Sequence, residues 1–170
     1  MCIRDSSDFS RLKESLSRET SAEGLKEAIQ KILSTDSDTI RSIAETVLSS
    51  DMSATVINEK ETKYFTSLVE TYPDDPGLLL FLLMNFITLE PGDFLYVSPG
   101  VTHAYLRGNV VEITSNSDNV IRCGLTPKHI NVDEFFSIAS FVSEQPQIQT
   151  PVESVHTYES PTPFTLTRLN

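Results

Sequence analysis

Apolar residues recur at helical spacing through the first half of the chain. Leu25, Ala28, Ile29, Ile32 and Leu33 fall at i, i+3, i+4, i+7 and i+8, and Ile40, Ile43, Ala44, Val47 and Leu48 repeat the pattern. Tyr64, Phe65, Leu68, Val69 and Tyr72 do so again. Each stripe predicts an amphipathic helix with one face turned to a core. Side chains able to cap the first turn stand at the right offsets: Ser21, Asp36 or Ser37, and Asn58 ahead of Glu59 and Glu61. Phe9, Leu12 and Leu16 suggest one weaker helix. Charges such as Lys26, Glu27, Lys31 and Arg41 read as a solvated face. A packed helical subdomain is therefore expected over residues 7–87. Within it, Tyr72-Pro73-Asp74-Asp75-Pro76-Gly77 is a break. The run from Leu78 to Phe86 is apolar nearly all round and predicts a buried helix.

From Leu89 onward the period shortens. Phe94 to Val97, His103 to Leu106 and Val110 to Thr114 are short runs of β-branched and aromatic residues. They are separated by Pro91-Gly92, Pro99-Gly100 and Arg107-Gly108-Asn109, which are turn signals. Successive antiparallel strands are expected. Strand alternation would put His103 and Tyr105 on one face, and Glu112 with Val110 or Thr114 on one face of the next strand. That is the layout of a small barrel with polar groups at its mouth. Further on, Glu134 to Val142 predicts a short helix with Phe135, Phe136, Ile138 and Ala139 inside. Gln145 to Pro151 reads as a polar connector, and Val152 to His156 and Pro163 to Arg168 as two more strands. The fold class is α+β, without internal repeats.

Composition narrows the partners. At 170 residues the chain can build one good core or two small ones, and a net charge of −11 argues against a nucleic-acid surface. The segment from Val101 to Ile130 differs: Arg107, Arg122 and Lys128 stand against Glu112 and Asp118, a net +1 within a chain of −11. A less acidic segment of this kind suits an anion pocket. Cys2 and Cys123 have no metal-type spacing and read as free thiols of a reducing cytosol. Residues 1–20 hold no continuous apolar stretch, and no apolar run approaches the roughly 20 residues of a membrane span. A soluble, cytoplasmic, monomeric protein with no nucleic-acid or membrane partner is expected.

Several side chains admit two readings. His103, after a Pro-Gly turn, is either a satisfied structural histidine or a metal ligand. Arg122, two residues before Gly124, is either a salt-bridged surface residue or a cation where a ligand can approach closely. Lys128, in Thr126-Pro127-Lys128-His129, is either an exposed lysine or a phosphate contact. Glu112 either faces water or is a partnered carboxylate with a raised pKa, suited to act as a base. Asp118-Asn119 reads as a turn or cap that positions Arg122. His129 reads as a structural neighbour, and Cys123 as a small, poorly exposed side chain.

The string P-G-D-x₅-P-G-x-x-H-A-Y beginning at Pro91, then Glu112, then S-D-N-V-I-R-C-G-L-T-P-K-H from Ser117 to His129, resembles type I phosphomannose isomerase. The match is close over residues 73–132 and looser on either side. The resemblance implies part of a cupin-type (jelly-roll) antiparallel β-barrel over residues 88–132. After it would come a short helix, a connector and the opening of a further β domain over 133–170. It also implies a zinc enzyme that interconverts mannose 6-phosphate and fructose 6-phosphate through an enediol, with a phosphorylated hexose as substrate. His103 takes the position of a zinc ligand and Arg122 that of the active-site arginine, while Tyr105, Glu112 and Lys128 line the substrate pocket. The family's Gln-x-His pair and separate Glu, which complete the zinc site, have no counterpart here. Glu153-Ser154-Val155-His156 does not replace them, because residues three apart in a strand face opposite ways. One histidine cannot hold a catalytic zinc, so an inactive fragment of such an enzyme is expected; residues 1–6 (MCIRDS) read as a leader foreign to the fold, and both ends look cut. The rival expectation is a non-catalytic cupin-like sugar-binding module. A metal-dependent cupin of other chemistry would have no need of the Ser-Asp-Asn-x-x-Arg string.

Overall fold

A computed structural model of the chain describes residues 21–49, 57–116, 120–143 and 145–169. Residues 1–6, the weak helix around Leu12, Cys2 and the Asp118-Asn119 turn lie outside them. The described residues form two compact units. One comprises the described residues up to 84 together with those of 100–143, and the other 85–99 with 145–169.

The first unit is helical. Helices α1 (Ala22–Leu33), α2 (Ser37–Leu48) and α3 (Glu59–Thr71) follow the three apolar stripes. Each begins where a side chain can satisfy an orphan amide of the first turn. The Gly24 amide donates to Ser21 Oγ at 3.1 Å and the Thr39 amide to Asp36 Oδ1 at 3.0 Å. At α3 the cap is reciprocal: the Glu61 amide donates to Asn58 Oδ1 at 3.0 Å and the Asn58 amide to Glu61 Oε2 at 2.8 Å. This is a capping box, with Asn58 in place of the usual hydroxyl residue. The buried faces converge on one core of Ile32, Ile40, Ala44, Val47, Phe65 and Leu78, joined by Cys123 and Phe135. Phe65 lies 5.6 Å from Phe81, ring centre to ring centre.

The expected helix from Leu78 to Phe86 is shorter than its apolar run. Helix α4 spans Gly77–Phe81. Beyond it the bonds tighten to i→i−3, with the Leu83 amide on Leu80 O at 2.9 Å and the Met84 amide on Phe81 O at 3.2 Å. That tightening ends the α-helical ladder. Helix α5 (Val132–Ile138) starts earlier and ends earlier than expected, capped by Asn131, whose Oδ1 accepts from the Glu134 amide at 3.2 Å. Phe135 is buried as foreseen, but Ile138 is exposed. The Ser140 amide donates to Gly100 O at 2.8 Å, and Ala139 has already left helical geometry at ψ 141°.

The second unit holds two small antiparallel sheets. Strand β1 (Phe94–Leu95) pairs with β2 (Ile148–Gln149), and β3 (Val155–Tyr158) pairs with β4 (Leu166–Leu169). The segment 145–151, expected to be only a connector, thus supplies a strand. Gln149 fixes it through its side chain, accepting from the Glu159 amide at 2.7 Å and donating to Glu159 O at 2.5 Å. The last two strands exist as expected but lie a few residues further along, leaving Val152 exposed. Phe94 stacks on Tyr158 with ring centres 4.9 Å apart, and the Tyr158 hydroxyl donates to Gly92 O. Glu90 to Asp93 form a type II turn, with Gly92 at φ 97° and the Asp93 amide on Glu90 O at 2.9 Å.

The fold is therefore mixed helix and antiparallel sheet, and no closed barrel forms among the described residues. The runs His103 to Leu106 and Val110 to Thr114 carry no strand. A strand exists through its ladder and a covered face, and a lone hairpin is marginal in water. Here every position from Val110 to Asn116 is exposed, so the inside–outside alternation is not realised.

Candidate functional site

The residues singled out by sequence fall into two groups within the first unit. One lies along 103–112 and the other along 122–128. Gly108, at φ 124°, turns the first segment back on itself. Across that turn the Tyr105 hydroxyl donates to Glu112 Oε1 at 3.2 Å. The residue is 61% exposed, but its hydroxyl is drawn in against the carboxylate. Desolvation, the hydrogen bond and the Glu112 charge together raise the phenol above its ordinary pKa. Tyr105 thus stays a neutral donor well into the alkaline range.

His103 packs edge-on to Tyr105, with ring centres 5.7 Å apart. Its Nδ1 lies 2.9 Å from Val101 O. A carbonyl only accepts, so this contact needs the proton on Nδ1; in the neutral ring that leaves the Nε2 lone pair for another partner. That tautomer suits a zinc ligand held in orientation by the backbone. One imidazole does not make a zinc centre, however. Among the described residues no three His, Cys, Asp or Glu side chains come together, so they do not fit a complete zinc site.

Arg122 is half-buried, and Lys128 is exposed. Neither forms a salt bridge with another described residue. Between them the backbone takes a tight course: Gly124 sits at φ 147° and Leu125 at φ 50°, an uncommon conformation for a leucine. The Lys128 amide donates to Thr126 Oγ1 at 3.2 Å, closing a small turn. Cys123, beside Arg122, is a buried free thiol, as expected. Burial, aided by the Asp75 charge, pushes its pKa up to about 12, so it is inert as a nucleophile. The bend is anchored by a residue the sequence reading passed over. Asp75 Oδ1 accepts from the Leu125 amide at 2.9 Å and from the Gly77 amide at 2.7 Å. The Asp-Pro-Gly string signalled a turn here, but nothing local marks a partner 50 residues away.

The chain is 46% identical over 72 residues to the mannose-6-phosphate isomerase of Salmonella typhimurium, covering 42% of this chain and 18% of that protein. It is 31% identical over 126 residues to a probable mannose-6-phosphate isomerase of Caenorhabditis elegans, covering 72% and 29%. The chain is related to the mannose-6-phosphate isomerases. A further relative, mannose-6-phosphate isomerase 1 of Arabidopsis thaliana, is 32% identical over 120 residues, covering 69% of this chain and 28% of the relative. This chain thus spans less than a third of the length of these mannose-6-phosphate isomerases. No family model matches it, and no solved structure does. Among the described residues no helix is long and apolar enough to cross a membrane.

Proposed function

We propose that this chain is the substrate-holding part of an aldose–ketose isomerase that interconverts mannose 6-phosphate and fructose 6-phosphate. The observation that carries the reading is 46% identity over 72 residues to a mannose-6-phosphate isomerase. Lys128, an exposed point charge at the end of a fixed bend, takes the phosphate. Arg122 faces the negative charge that develops when a proton moves between C1 and C2 through an enediol, and stabilises it. Tyr105, neutral and paired with Glu112, orients sugar hydroxyls. His103 offers Nε2 as one ligand to a catalytic zinc; the family's other ligands have no counterpart in this chain. The polypeptide works as a monomer in the cytoplasm, a setting consistent with the free thiol of Cys123. The cupin-type barrel belongs to this proposal too, completed by residues other than those described.

The test is a calorimetric titration of the chain with mannose 6-phosphate, repeated on Lys128→Ala. Loss of a charge-assisted contact to phosphate should weaken binding about tenfold. Equal affinity in the variant would remove Lys128 from the site.

A further inference from the structure

We infer that Asp75 is a positioning residue for Arg122 and Lys128, holding the bend between them through a bridge from one carboxylate oxygen to two amides. The inference rests on the functional reading above, because it assigns those two cations to the substrate.

The two ends of the bridge lie far apart in sequence. Asp75 sits in the turn before α4, and Oδ1 accepts from Gly77 at 2.7 Å within that turn. The same oxygen accepts from Leu125 at 2.9 Å, inside the bend that separates Arg122 from Lys128. The approach is close enough to require glycine on both sides. A Cβ on Gly77 would meet the Leu125 backbone nitrogen at 2.7 Å, and one on Gly124 would meet Gly77 Cα at the same distance. Gly77 is itself fully packed at the start of α4, whose Leu78 and Leu79 lie in the helical core. The bridge therefore ties the bend to the turn that opens α4, beside the buried core. Leu125 holds φ 50° there, a conformation that persists where surrounding contacts over-determine it.

Neither cation touches Asp75 in this arrangement; the carboxylate acts on backbone amides. Replacing it should free the bend, leaving the two cations in a range of positions. Binding of the phosphorylated sugar would then cost the ordering of that segment. Asp75→Asn keeps an acceptor oxygen in place without the charge, so it should rescue most of the effect.

The experiment uses the full chain, with mannose 6-phosphate as the probe and amide hydrogen exchange followed at Leu125 and Gly77. Asp75→Ala, with its thermal melt confirming a folded protein, should speed exchange at Leu125 and raise the Kd for mannose 6-phosphate about tenfold. Asp75→Asn should recover most of the affinity. If Asp75→Ala does not fold, Asp75→Glu, which moves the acceptor by one methylene, is read in the same way. Faster Leu125 exchange with unchanged Kd would overturn the positioning role and leave Asp75 as a fold residue. A wild-type chain that does not bind mannose 6-phosphate would instead overturn the functional reading, and the positioning role with it.

Discussion

Cys123 shows how a single buried group reports on the unit around it. Its thiol pKa rises from 9.0 to about 12, first through burial and then through the Asp75 charge. A group whose folded pKa is raised stabilises the fold fully below its unfolded value and loses that contribution as pH climbs through the folded one. Stability of the helical unit should therefore fall between pH 9.0 and about 12. Cys123→Ala should flatten that alkaline limb in urea titrations, and an unchanged slope would show that the thiol is not the source. The same scale shows what sequence could and could not reveal about the site. His103, Tyr105 and Glu112 were legible as candidates, and the turn at Gly108 brings the last two within hydrogen-bond reach. Asp75 was not legible, since its role depends on an amide 50 residues away and on two glycines that permit close backbone approach.

At the scale of elements, legibility follows the range of the forces involved. The three long helices were readable because their caps and stripes lie within a few residues of each other. The Asn58 capping box makes this testable: Asn58→Ala removes one orphan-amide partner and should cost about 1 kcal/mol in equilibrium unfolding, within the usual range for a lost cap. A change below a few tenths would mean the α3 terminus does not depend on it. Strands were harder. Strand β1 is made by a partner more than fifty residues on, in a segment that reads as a polar connector. Conversely, Val110 to Thr114 has strand composition but no ladder, because β-propensity records fit to a covered, pleated surface. Helix α4 ends where its bonds tighten to i→i−3, which its apolar run, continuing past Phe81 to Met84, could not announce.

At the scale of the molecule, the helical unit places its candidate residues differently. Cys123 lies in its core and Arg122, the preceding residue, is half-buried, whereas His103, Tyr105 and Glu112 lie on an exposed segment. The chain spans less than a third of the length of these relatives. Under the proposed function the chain nonetheless holds the groups that take a phosphorylated hexose. That reading is tested most directly by comparing mannose 6-phosphate with unphosphorylated mannose in calorimetric titrations of the wild-type chain. Measurable binding of mannose 6-phosphate is expected, weakened by added inorganic phosphate, with at least about tenfold weaker binding of mannose, since the phosphate supplies the charge-assisted contacts. Equal affinity for the two sugars would contradict it and favour a plain sugar-binding module.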